Sequence, residues 1–279
     1  MTNWTAIEQK ALHSKPGPRE VATGKRAVVS TDNPIVTETA LRTLRNGGNA
    51  ADAAVAACLV QSTIEQHLTN HTGLITCLYW DAKTKTAHQL ESAGTFPSHL
   101  PLFQPVPPVG GLSMPGMIPA ACIPGQIPGL EALRERFGTK SWSDLCEDAV
   151  YWAENGHLVN SMEIFGLNFE APFINFFPEG RAHFSVDGRF PQCGDRFHSR
   201  ELEHTLRQLQ KEGPSYFTEG EWAQKFVAKA NEIGWAIELK DMTAVPPRWI
   251  EPQSYEHRGV EIVQQAPPER QAAFCAMVL

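Results

Sequence analysis

The sequence predicts an α/β layered fold, and three features carry that expectation. The first is residues 47–60, where six of fourteen residues are Ala and Asp52 is the sole charge. Ala has the best helix propensity, and a helix small and apolar on every side packs between layers rather than on a surface. The second is a strand–turn–strand pattern at 74–91, directly after that helix. The third is a set of capped or amphipathic helical stretches further along the chain. Helix, loop and hairpin together read as the edge of a layered sandwich.

In chain order, residues 3–8 read as the start of a surface helix, and residues 11–26 form an irregular arm feeding a strand at Ala27-Val28-Val29-Ser30. Asp32 or Asn33 can cap a helix with Pro34 in its first turn, and Ile35, Ala40, Leu41 and Leu44 follow at roughly helical spacing. Gly47 and Gly48 end that helix and Asn49 caps the Ala-rich one, which fades near Glu65-Gln66-His67. Asp52 then needs a partner, because an unpaired buried carboxylate is costly. Residues 68–73 form a polar turn. Residues 74–80, mostly apolar, read as a largely buried strand paired with 86–91 across the turn at 81–85.

Residues 94–129 hold nine prolines and six glycines and read as an extended functional belt rather than a packing element. Helices resume at 128–137, closed by Gly138, and at 142–156, where Ser141 and Asp144 form a variant capping box. The phenyl-rich stretch 162–180 is interrupted by Pro172 and reads as core packing and loop. Helices at 200–211 and 221–233, a strand at 259–263 and the beginning of a helix at 272–279 complete the pattern. The whole chain is expected to be part of one domain, with 1–26 as an N-terminal arm and 94–129 as the belt.

A net charge of −7 without a concentrated Lys/Arg run excludes a general nucleic-acid or acidic-membrane binder. No apolar run approaches the roughly 20 residues of a membrane span. The polar amino terminus lacks the basic start and apolar segment of a secretory signal, so a cytoplasmic location is expected. The six cysteines are scattered without C-x-x-C spacing, which suits reduced thiols.

Several motifs occur together and in order: Val28-Val29-Ser30, then Gly47-Gly48-Asn49-Ala50-Ala51-Asp52-Ala53-Ala54-Val55-Ala56, then Pro124-Gly125 to Pro128-Gly129-Leu130. Arg136-Phe137-Gly138-Thr139-Lys140-Ser141-Trp142, Gly194-Asp195-Arg196-Phe197, Phe217-Thr218-Glu219-Gly220, Arg258-Gly259-Val260-Glu261-Ile262 and Ala266-Pro267-Pro268 continue the series. Across roughly residues 25–275 the sequence resembles the large chain of the γ-glutamyltransferase family. That resemblance implies a four-layer αββα sandwich of the N-terminal-nucleophile hydrolase type, completed by a second, small chain. It also implies a precursor that cuts itself, exposing a Thr whose hydroxyl attacks an amide while its own α-amine acts as base. Neither a metal nor an organic cofactor is implied. The assembly would be a heterodimer or a dimer of heterodimers. Thr2 does not fit the nucleophile, since such a Thr begins a buried strand and residues 3–8 read as a helix.

The family's segment Arg-Glu-x-Ala-Pro, whose Arg holds a substrate carboxylate, aligns near Glu91-Ser92-Ala93-Gly94-Thr95, and no Arg occurs between Asn46 and Leu133. Its glycine-rich loop is here Thr69-Asn70-His71-Thr72-Gly73. Loss of the carboxylate clamp turns the expectation from γ-glutamyl compounds to other small carboxylated amides, such as the oxamate cleaved by relatives in purine breakdown. Glutathione-like substrates, or a non-catalytic subunit that keeps the fold, are the alternatives. Asn70, His71, Thr72, Glu91 and Ser92 are the expected substrate-binding residues, the first three as neutral hydrogen-bonding groups. His67 and His71, four apart, have no evident carboxylate partner and are not read as a metal site. Gly111-Leu112-Ser113-Met114-Pro115 misses the final Gly of a nucleophile elbow.

Overall fold

Asn3 opens the structured chain: its side chain accepts the Ala6 N–H and caps α1 (Trp4–Leu12). The structure, a computed structural model, describes residues 2–14, 17, 21–96, 122–175 (Phe173 by its backbone alone), 178–232, 234–267, 269, 274–275 and 277–278. Trp4 packs edge-on against Trp152, and buried Glu8 accepts from the Leu158 N–H and from Arg196 at 2.9–3.0 Å. The first helix is thereby bolted to the body.

The expected caps are in place. Asn33 accepts from the Ile35 N–H to begin α2 (Pro34–Arg45). Asn49 and Asp52 form a reciprocal capping box on α3 (Ala50–Ile64), in which eleven of fifteen residues are buried. Asp52 is the partner-seeking acid anticipated from the sequence. Besides Asn49, it accepts from Thr139 N, Thr139 Oγ1 and Lys140 N at 2.7–3.0 Å, so it ties α3 to the loop after the next helix. Burial pushes this carboxyl up, but the hydrogen bonds from Asn49, Thr139 and Lys140 outweigh it and hold it below the usual range.

The hairpin β1 (Ile75–Asp81) and β2 (Thr86–Ser92) follows α3, and β5 (Arg248–Ile250) joins β2 to give an antiparallel sheet in the order β1-β2-β5. Between them run α4 (Gln126–Phe137), α5 (Trp142–Asn155), β3 (His157–Leu158), α6 (Ser161–Ile174), α7 (Pro178–His183), β4 (Arg196–Phe197), α8 (Arg200–Glu212), α9 (Ser215–Thr218) and α10 (Glu221–Glu232). The hairpin β6 (Gln253–His257) and β7 (Val260–Gln264) lies last in order. Ser141 and Asp144 form the predicted box on α5. No described helix is long and apolar enough to cross a membrane.

Successive strand residues face opposite sides of a sheet. On one side Ile75, Cys77, Tyr79, Leu90 and Trp249 pack into the main core with α3, α4 and α5. On the other lie Leu78, 39% exposed, and Trp80, 57% exposed. The expectation of a largely buried first strand is corrected accordingly: on this side β1 stays open, although Gln89 and Glu91 of β2 are buried there, and among the described residues β1 has no strand along its outer edge.

Three other expectations change. Residues 27–30 are not a strand, because no described strand lies beside them and Val28 is exposed. Helix α4 starts at Gln126, two residues ahead of the predicted start, with Pro128 still inside its first turn where no backbone bond is lost. Helix α6 runs through Pro172, which gives up one backbone N–H in the last turn, and ends two residues later. Its Phe165 and Phe169 are 70% and 76% exposed, so they are not core residues. Most of the proline-rich belt, and Gly111-Leu112-Ser113-Met114-Pro115 with it, lies outside the described residues. Its ends meet, since Thr95 and Ile123 form an antiparallel bridge. All six cysteines are free, with Cys193 and Cys275 exposed.

Candidate active site

The end of α3, the turn at 65–74, the end of β2 and the start of α4 converge on one point. The Gly73 carbonyl accepts the N–H groups of both Gly125 and Gln126, at 2.9 and 2.8 Å. Ser92 Oγ donates to the Gly125 carbonyl at 2.6 Å, and Gln126 Nε2 donates to Ser62 Oγ at 2.7 Å. Gly125 is needed there, since a Cβ would lie 2.3 Å from the Ser92 carbonyl oxygen. These bonds clamp the turn, the strand end and the helix start together.

Around this clamp the five residues expected from sequence separate into two groups. Glu91 and Ser92 line a cavity of about 340 Å³, bordered by Gly94, Thr95, Thr243 and Arg248. Asn70, His71 and Thr72 line another of about 240 Å³, with Ser62, His183 and Phe217. The two therefore do not form one pocket in this chain.

The second group is mostly engaged internally. Asn70 Oδ1 accepts from the N–H and hydroxyl of Thr72, a local turn that uses both side chains. His71 is buried, and burial depresses its imidazole to about 4, opposed by a hydrogen bond with the Leu59 backbone. It is neutral at physiological pH, as anticipated. Its Nε2 has no partner among the described residues. His67 is buried with neither ring nitrogen partnered among the described residues, and burial holds it below its ordinary range while Glu163 pulls the other way. Because α3 ends at Ile64, the four-residue spacing of His67 and His71 does not place them on one helical face. Among the described residues no group of three or more His, Cys, Asp or Glu is arranged for a metal.

The first group holds the residue that sequence reasoning missed. Arg248 Nη2 donates to Glu91 Oε2 at 2.7 Å; the acid is buried, while the Arg248 side chain is 60% exposed at the cavity wall. A guanidinium thus reaches the place where the aligned segment lacks one, carried by β5 from outside the 46–133 window. No local motif signals this, since only the pairing of β2 with β5 joins the two residues. Ser92, in contrast, is a structural fastening, its hydroxyl committed to Gly125.

Comparison with known proteins places this geometry. Residues 36–279 match the family described as Gamma-glutamyltranspeptidase. The chain is 27% identical over 248 residues to the glutathione hydrolase-like YwrD proenzyme of Bacillus subtilis, covering 89% of this chain and 47% of that protein. It is 26% identical over 266 residues to glutathione hydrolase 3 of Arabidopsis thaliana, covering 93% and 40%. The chain therefore spans less than half the length of these relatives. In structure it matches Helicobacter pylori gamma-glutamyltranspeptidase with a TM-score of 0.84 at 23% identity, over 93% of this chain and 75% of that one. It matches the Bacillus anthracis transpeptidase CapD with a TM-score of 0.74 at 22% identity, over 88% and 78%. At these identities the likeness is one of fold, the mixed α/β architecture of N-terminal-nucleophile hydrolases.

Proposed function

The chain belongs to the gamma-glutamyltranspeptidase family, and from that premise we propose that it forms part of the large chain of an amide-cleaving enzyme completed by a small chain. The nucleophile is an N-terminal Thr of that partner, freed when a common precursor cuts itself. Its hydroxyl adds to the substrate's amide carbon as its α-amine takes the proton. The amine product then leaves, and water resolves the acyl-enzyme. The observation that carries this reading is the uncovered side of the sheet. Leu78 and Trp80 lie open on the same side as Glu91 and Arg248, where a second layer would both bury apolar surface and close the cavity.

The substrate we propose is a small amide bearing a carboxylate, with oxamate as the first candidate and the cytoplasm as the setting. A γ-glutamyl compound such as glutathione is the second reading, favoured by the names of the related glutathione hydrolases. The test uses the full-length precursor. Mass spectrometry is expected to find two chains, the smaller beginning with Thr; an uncut protein without such a chain supports the non-catalytic subunit instead. Ammonia release from oxamate is then compared with cleavage of a γ-glutamyl anilide. Much faster turnover of the anilide overturns the oxamate reading and leaves the family chemistry intact.

A further inference from the structure

We infer that Arg248 is the carboxylate anchor of the larger cavity and that Glu91 is its positioning residue. The chemistry of the wall leads there. Glu91 and Arg248 are the only charged side chains among the described residues lining that cavity, and the other lining residues are neutral. A guanidinium carries five N–H donors in a planar fork. One bond, from Nη2 to Glu91, is the sole partner of Arg248 among the described residues, which leaves four donors free. The Arg248 side chain is open to the cavity, whereas Glu91 is almost wholly enclosed, so the acid is not the group presented to a ligand. Its place is to fix the fork from below. The β2–β5 register sets Glu91 directly opposite Arg248, so both the height and the direction of the side chain are determined by backbone pairing.

A carboxylate meets two parallel N–H groups of such a fork in a charge-assisted, bidentate contact. Glu91 already balances the single positive charge of Arg248, so one carboxylate is held by the free N–H donors of the fork and a second one beside it is disfavoured. The smooth remainder of the wall, with Gly94 and Gly125 and the ring of Pro128, leaves room for a compact acyl group beside the anchor. As a statement about substrate this inference rests on the amide-hydrolase reading; as a statement about anion binding it stands without it.

Two probes separate those cases in the processed full-length protein. Turnover of oxamate and of its uncharged counterpart oxamide reads the substrate arm. In Arg248→Ala the oxamate-to-oxamide ratio of kcat/KM is expected to fall roughly 10- to 100-fold, mainly through the KM for oxamate. Arg248→Lys, which keeps the charge and loses the fork, falls between. Acetate, which offers no amide to cleave, reads the binding arm by ligand-observed NMR. It is expected to bind the wild type and to lose binding in Arg248→Ala. Because that variant strands an enclosed acid, Glu91→Gln/Arg248→Ala is measured alongside as a folded control and is expected to behave the same way. Glu91→Gln alone, which still accepts from Nη2, is expected to keep the oxamate preference, whereas Glu91→Ala weakens it. An unchanged ratio in both Arg248→Ala and the double variant overturns the inference while leaving the hydrolase reading standing. Arg248-dependent acetate binding without amide turnover does the reverse. No acetate binding by the wild type overturns the inference as well.

Discussion

The two sides of the β1-β2-β5 sheet differ in how completely this chain furnishes them. On the helical side the main needs are met from within: the Ala-rich helix is capped, its one acid has four donors, and the sheet's apolar residues meet α3, α4 and α5. On the far side Trp80 and Leu78 remain open, and the last part of the chain reaches across, where Gln89 exchanges two hydrogen bonds with the backbone of Ala266. One side is a finished core, and the other is open, with a cavity at its margin. Stability is concentrated where the structure is closed, and ligand chemistry where it is open.

The sharpest way to break that contrast is at Asp52. Asp52→Ala leaves four donors without their acceptor and is expected to cost about 3–5 kcal/mol in a urea titration. A loss under about 1 kcal/mol would mean the finished side is not the source of stability.

Acid titration has the next largest expected effect. The unfolded chain protonates His71 near 6.5, whereas the folded chain does so only at about 4. Between those values the unfolded state binds more protons, so stability falls as pH drops through the window. The total is about 3 kcal/mol, and the fall ends once the folded imidazole is itself protonated. His71→Asn, which can keep a donor toward Leu59, is expected to flatten this limb when unfolding is measured at pH 7 and pH 5.

Gly166→Ala tests the packing of α6 on the same region. Its Cβ would stand 2.4 Å from Cδ2 of His67, and the overpacking is expected to cost about 1–3 kcal/mol, read as a shift in denaturation midpoint. Smallest is Trp80→Ser. Taken on this chain alone it is expected to change stability by no more than about 0.5 kcal/mol, while weakening co-purification with the small chain. A large loss in the chain alone would show that the open side is already covered.

What the sequence disclosed follows the same division. The caps at Asn33, Asn49 and Ser141 were legible because a cap is written within four residues. The need of Asp52 for partners was legible from its apolar surroundings, though not the identity of Thr139 and Lys140. The openness of β1 was not, since an apolar strand reads the same whether its second layer is in this chain or another. Pro172 misled because the helix carries it in its last turn, one backbone bond short, instead of ending before it. Of the site, the neutrality of His71 could be anticipated, but its separation from Glu91 into another cavity could not. Arg248 was hidden for a simpler reason: strand pairing alone brings it to Glu91, from 157 residues away.

That distance has a consequence for how the protein is made. Synthesis delivers Glu91 long before Arg248, so the growing polypeptide first holds an acid with no counter-ion beside a wall that does not yet exist. Ligand competence therefore waits until β5 has been synthesised. A nascent chain that stops ahead of Arg248 lacks the guanidinium that the finished cavity wall carries.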